Sequence, residues 1–283
     1  MPTSPKDCCR TALFIADLHA GSAYALWPRK FRRSTGHTVQ LNAGQRYLHR
    51  CWDDFLERIP KQLDYLILDG DMTEGQQPKQ MARDLVDVDP QWQARAAKNL
   101  LEPLAARATE VRCTMGTDYH GGEQATWEEW IARELGAVPD DWGHHAADWL
   151  LLNIDGVQLD IAHAQSTAIN TSMPLERELR FALMIDDERP DIDMIVRAHT
   201  HNYRWLVLDG RITCGLPAWK LQGRHVRRSR TPNRFYSRLL GAVLLRIYPD
   251  HKRRNTVNRE DFIEHEAFTY RHPPLKPSKG GVR

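Results

Sequence analysis

Short apolar runs alternate with amphipathic stretches along the first half of the chain. Thr11–Ala16 (TALFIA) is continuously apolar and predicts a buried strand. Ala43–Ile59 predicts a helix, because Tyr47, Leu48, Cys51, Trp52, Phe55 and Ile59 fall near helical spacing. Asp64–Asp69 (DYLILD) predicts a second buried strand. Pro90–Ala108 has helical character that Pro103 must kink or divide. Val111–Met115 predicts a third strand, and Gln124–Leu135 a helix closed by Gly136.

The second half changes character. Trp149–Ile154 and Val157–Ala162 flank Asp155-Gly156, the dipeptide of a type I′ hairpin. Leu175–Ile185 predicts a helix closed by Glu188-Arg189-Pro190, and Met194–Arg197 a strand. Tyr203–Leu208 and Arg211–Cys214 flank a second hairpin signal, Asp209-Gly210, and Leu239–Tyr248 predicts a late strand. β–α alternation early and hairpins late predict an α/β fold of two packed mixed β-sheets flanked by helices.

The size of 283 residues fits one large domain. The expected division is a flexible N-terminus over 1–10, one domain over 11–270 with a basic portion over 210–260, and a disordered tail over 271–283. Its last twelve residues, HPPLKPSKGGVR, are rich in Pro, Gly and Lys. The net charge of +2 is too small to demand a polyanion partner. The cysteines (Cys8, Cys9, Cys51, Cys113 and Cys214) form no C-x-x-C pair, which argues against a zinc ribbon and suits a reducing compartment. The opening residues MPTSPKDCCR hold no apolar core of a signal peptide, and no apolar run reaches membrane-span length. A cytoplasmic protein without membrane contact is expected; its oligomeric state is open.

The chemistry sits at the predicted strand ends, where open α/β sheets bind ligands. Asp17-Leu18-His19 follows the first strand, and residues two apart in an extended segment point the same way. Gly70-Asp71 follows the second, with the glycine allowing a sharp turn. Gly116-Thr117-Asp118-Tyr119-His120 follows the third. His163 and then His199-Thr200-His201 follow two later strands. Each motif alone is weak, since a lone histidine more often sits in a core or on a surface. Five strand ends delivering carboxylates and imidazoles in this order make a much stronger signal. Mixed His/Asp ligation suits borderline divalent metals. His144-His145 lie outside every motif, and His37, His49, His251, His265 and His272 are expected to face solvent.

The order D-x-H, G-D, a third Gly-led loop, a lone His and H-x-H resembles the calcineurin-like metallophosphoesterase superfamily. The match runs from about Thr11 to Cys214. The resemblance implies a four-layer α/β/β/α sandwich that hydrolyses phosphate esters with water activated by two divalent ions. Manganese is the first expectation, with iron, zinc or magnesium as alternatives. It also implies that Asp17, His19, Asp71 and His201 hold one ion, and that Asp71 bridges to a second held with His163 and His199. Two departures stand out. Ala198 replaces the glycine before H-x-H. In the third motif the family has G-N-H, with the asparagine on the second metal and the histidine beside the leaving group. Here Thr117 takes the asparagine position, or Asp118 does, and His120 takes the histidine's role through a longer loop. A purely structural loop is the remaining alternative.

Charge is unevenly spread. No Asp or Glu occurs from Gly210 to Pro249, while Arg211, Lys220, Arg224, Arg227, Arg228, Arg230, Arg234, Arg238 and Arg246 do, followed by Lys252, Arg253 and Arg254. Trp219, Phe235 and Tyr236 are interleaved. The stretch reads equally as a nucleic-acid contact or as a solvated basic surface. Arg224, Arg227, Arg228 and Trp219 are the expected substrate contacts, with Trp219 at the rim of the site. The leading reading is hydrolysis of a phosphate ester, with DNA or a nucleotide as substrate. The alternative is a nucleic-acid-binding or scaffold protein that keeps the fold around a weakened metal site.

Overall fold

The computed structural model describes residues 9–77, 81–122, 126–163, 173–184, 191–223, 239–252 and 258–273. β1 (Arg10–Ala16), β2 (Leu63–Asp69), β3 (Ala108–Thr114) and the two-residue β4 (Ala146–Ala147) run parallel to one another. Two antiparallel strands, β10 (Leu239–Ile247) and β11 (Ile263–Arg271), complete a six-stranded sheet in the order β11-β10-β1-β2-β3-β4. The second sheet has the order β5-β6-β7-β9-β8. In it, β6 (Val157–Ala162), β7 (Met194–Arg197) and β9 (Arg211–Gly215) are parallel, while β5 (Leu150–Ile154) and β8 (Arg204–Leu208) close hairpins at the edges.

The apolar pattern explains the layering. In β1, Leu13 and Ile15 face one side, and Ala12, Phe14 and Ala16 face the other, and all are buried. The first pair packs with Leu48, Trp52 and Phe55 of α1 (Ala43–Arg58), Leu101 of α2 (Pro90–Ala105) and Ile131 of α4 (Thr126–Glu134). The second set meets Leu159, Val196 and Ile212 of the other sheet. Behind that sheet, Leu179 of α5 (Met173–Met184) packs on Ile192 and Ile195. The result is helices, sheet, sheet and helix, the four layers that the pattern predicts.

Both hairpins have left-handed turn residues, Asp155 and Gly156 at φ 50° and 101°, and Asp209 and Gly210 at 50° and 76°. Both residues of a type I′ turn need such angles. Two expectations are corrected, on Pro103 and His49, and one strand, β11, was not anticipated. Pro103 lies in the last turn of α2 and does not divide it; the helix closes at Ala105, because a proline there forfeits little of the ladder. Strand β11 carries no clear alternation, since it is an edge strand with only Ile263 and Phe268 buried. His49 does not face solvent; it is buried in α1, with Nε2 2.8 Å from the Trp27 carbonyl. No helix among the described residues is long and apolar enough to cross a membrane.

Candidate metal centre

Asp17, Asp71, His163 and His199 each leave the end of a parallel strand, and these ends converge. Asp17 N donates to Gly70 O at 3.1 Å and His19 N to Asp71 O at 3.0 Å, stitching the two loops together. Gly70 (φ 65°) and Gly116 permit the close approach. A Cβ on Gly70 would fall 2.5 Å from the His163 ring, and one on Gly116 would fall 2.3 Å from Asp71 N. Asp17, His19, Asp71, His199 and His201 all have left-handed backbones, with φ between 49° and 62°. Asp and His tolerate this region better than most residues, and such strain gathers at functional sites.

Three sets of ligand atoms lie close enough to share an ion: Asp17–His19–His201, Asp71–His163–His199, and His19–Asp71–His120. In the first, His201 Nε2 is 3.1 Å from Asp17 Oδ1 and 3.1 Å from His19 Nε2, and His19 Nε2 is 3.5 Å from Asp17 Oδ1. In the second, Asp71 Oδ2 is 3.1 Å from His163 Nε2 and 3.9 Å from His199 Nδ1. Atoms bound to one ion at about 2.0–2.2 Å stand roughly 3–4 Å apart, so the spacing fits. Burial sorts these residues into a floor and a rim. Asp17, His19, Asp71 and His163 are buried, whereas the side chains of His199 and His201 are 35% and 25% exposed.

The donor set has the character of a cation site. Asp17 Oδ1, His163 Nε2 and His199 Nδ1 are buried atoms that make no hydrogen bond. Burial would raise the carboxyls of Asp17 and Asp71. The histidines, His201 and His163 for Asp17 and His163 first for Asp71, outweigh it and hold both well below the usual carboxylate range. Burial would likewise lower His163, yet Asp17 and Asp71 push it up to about 10.

Supporting residues orient this set. His163 Nδ1 lies 2.6 Å from the Asp69 carbonyl, which can only accept, so Nδ1 carries the proton and Nε2 faces the centre. Glu74, buried, places Oε2 3.0 Å from His19 Nδ1, and Lys220 Nζ grips its two oxygens at 2.9 and 2.6 Å. Burial would raise Glu74, but Lys220 and then His19 hold it far down. Glu128, fully buried behind Gly121, is pushed up to about 8 by burial and then by Asp71, which keeps it neutral at pH 7. Glu74, Lys220 and Glu128 carry no motif in the sequence. Lys220 alone left a trace, as a member of the basic stretch.

The remaining expected residues fall variously. Thr117 reaches the site through Asp71, its N–H and hydroxyl both donating to Oδ1, at 2.7 and 3.0 Å. Asp118 is exposed and joins none of the three sets, because the helical turn α3 (Asp118–Gly121) turns it outward. Trp219 is not at a rim. It is fully buried against Trp52, Phe55 and Tyr270, with its backbone N–H donating to the Asp17 carbonyl. Arg224, Arg227 and Arg228 lie outside the described residues. Other members of the basic stretch are paired with carboxylates: Arg211 with Asp191, Lys220 with Glu74, Arg246 with Glu266 and Lys252 with Asp193.

Several solved structures are similar over most of the chain. Zinc-complexed Vps29 from Entamoeba histolytica has a TM-score of 0.40 and 11% identity, covering 91% of this chain and 99% of that one. An archaeal phosphodiesterase has a TM-score of 0.40 and 10% identity, over 91% and 99%. A predicted phosphoesterase from Streptococcus pneumoniae has a TM-score of 0.34 and 9% identity, over 92% and 98%. No family model and no curated protein matches. Similarity this remote assigns no residue role or activity to this chain.

Proposed function

We propose that the protein is a metallophosphoesterase that hydrolyses phosphate esters at a dinuclear centre held by Asp17, His19, Asp71, His163, His199 and His201. The observation that carries the reading is the position of Asp71. Its Oδ2 stands against His163 and His199, and its backbone carbonyl is bonded to His19, whose imidazole is shared with Asp17 and His201. The order of the sequence motifs supports the same reading. Two divalent ions, manganese by preference, would supply Lewis acidity that polarises a phosphoryl oxygen and acidifies water. The chain's own residues do the rest. Asp17 and Asp71 offer negative charge at the floor, Thr117 turns Asp71, and Glu74 turns His19. The half-exposed His199 and His201 leave the centre open to a substrate from solvent.

Nucleic acid or a nucleotide is the proposed substrate class, supported by the acid-free basic stretch that includes Arg224, Arg227 and Arg228. Metal analysis of the purified protein should find two equivalents of transition metal. The manganese-loaded form should hydrolyse a chromogenic phosphodiester, and Asp71→Asn should lose both properties. Absence of stoichiometric metal, with no hydrolysis under manganese, iron, zinc or magnesium, overturns the reading. For the substrate class, oligonucleotide binding should weaken linearly in log salt, and neutralising Arg227, Arg228 and Arg230 together should flatten the slope.

A further inference from the structure

His120 stands where its expected work is hard to do. Its Nδ1 is 2.8 Å from the Glu74 carbonyl, an acceptor only, so Nδ1 carries a proton and Nε2 is the free end. That free end does not point out of the site. Nε2 lies 3.9 Å from Asp71 Oδ2, and a ring nitrogen of His120 lies within 4.8 Å of one of His19. The gap to Asp71 is too long for a hydrogen bond. It equals the 3.9 Å between His199 Nδ1 and the same carboxylate oxygen. The imidazoles of His19 and His120 meet edge to face, with centroids 4.5 Å apart.

The placement is built in. Thr73 Oγ1 donates to the His120 carbonyl at 2.7 Å. Gly75 lies so close to the Tyr119 carbonyl that a Cβ there would stand 2.4 Å from it. The segment that follows β2 therefore clamps α3. Glu74 presents two histidines at once, His19 through its carboxylate and His120 through its carbonyl. The whole arrangement is anchored from behind by Gln93, whose Oε1 accepts from Glu74 N at 3.1 Å and from Gly75 N at 2.9 Å.

We propose that His120 Nε2 is a metal ligand, joining His19 and Asp71 on the first ion, and is not the acid that meets the leaving group. The proposal rests on the dinuclear reading above. It adds to the six ligands a seventh that is supplied by the longer loop of the third motif.

Cobalt(II) titration of the metal-free protein tests it, read by visible absorption and by equivalents bound. Wild type should take up two equivalents. His120→Ala should weaken one of them by more than the roughly 10–100-fold that a supporting residue costs, leave the other near wild type, and alter the cobalt band intensity. His120→Asp, which restores a ligand oxygen, should recover much of the lost affinity, a rescue that a folding defect would not show. Two tight equivalents with an unchanged spectrum in His120→Ala overturn the proposal and leave the dinuclear reading standing. No uptake by wild type overturns the dinuclear reading itself.

Discussion

Thr117 gives Asp71 Oδ1 two hydrogen bonds, from its N–H at 2.7 Å and its hydroxyl at 3.0 Å, and so leaves Oδ2 to face the histidines. The threonine thus fixes which oxygen of the Asp71 carboxylate is free for the proposed centre. Thr117→Val keeps the backbone bond and the volume but loses the hydroxyl. Metal affinity should fall by about 10-fold, the lower end of the effect of a supporting residue, and Thr117→Ser should restore it. Isothermal titration with manganese or zinc measures this, and an unchanged affinity in Thr117→Val would refute the role.

Lys220, only partly exposed, neutralises the buried carboxylate of Glu74. Lys220→Met strands the Glu74 carboxylate and should cost about 3–5 kcal/mol in urea unfolding of the metal-free protein. The double variant Lys220→Met/Glu74→Gln should recover part of that loss while still binding metal more weakly, since His19 loses its carboxylate. If Lys220→Met unfolds like wild type, the pair is not the strut described.

The metal-free centre should lose stability as pH rises. His163 is raised in the folded state to about 10 from an ordinary 6.5, so its contribution is full below about 6.5 and vanishes as pH climbs through 10. Glu128, raised to about 8 from 4.5, acts in the same direction between those values, because the folded state resists its ionisation. The unfolding midpoint of metal-free protein should therefore fall from pH 6.5 to 10. Saturating metal, which needs His163 neutral, should flatten the His163 part of the slope. A midpoint that rises over this range in the metal-free protein contradicts the assignment.

Trp219 meets Trp52 edge-on, with centroids 4.7 Å apart, and borders Phe55 and Tyr270. Trp219→Ala should cost about 3–5 kcal/mol by the usual measure for a large buried aromatic. Denaturant unfolding decides it. A variant of normal stability with a raised KM would return Trp219 to the substrate.

The strand and helix positions were legible because β1, β2 and β7 are short apolar runs whose ends carry the chemistry, while β6 alternates beside the turn that Asp155-Gly156 spells, and Asp209-Gly210 spells the second turn. Strand β11 was not, because an edge strand needs only two buried residues and its neighbours are polar. The convergence of Asp17, Asp71, His163 and His199 was readable from motif order. The carbonyl and carboxylate supports were not, since the Asp69 and Glu74 backbone oxygens belong to no residue type. Trp219 misleads because an aromatic among arginines resembles a stacking platform, whereas its neighbour Lys220 and its own backbone N–H point to where that segment actually lies, against Glu74 and Asp17.

The left-handed backbones at Asp17, His19, Asp71, His199 and His201 bear on selectivity. Holding side chains of this kind in that region costs on the order of 1 kcal/mol each relative to glycine, so the surrounding sheets must hold the geometry whether or not an ion is there. A cradle set by the fold does not remodel itself around its guest. At the proposed centre such a cradle would admit ions that prefer its spacing and its mixed nitrogen and oxygen donors, and would refuse ions that demand another polyhedron. Discrimination among divalent metals would then reside in the loops that end the strands, as much as in the identity of the proposed ligands they carry.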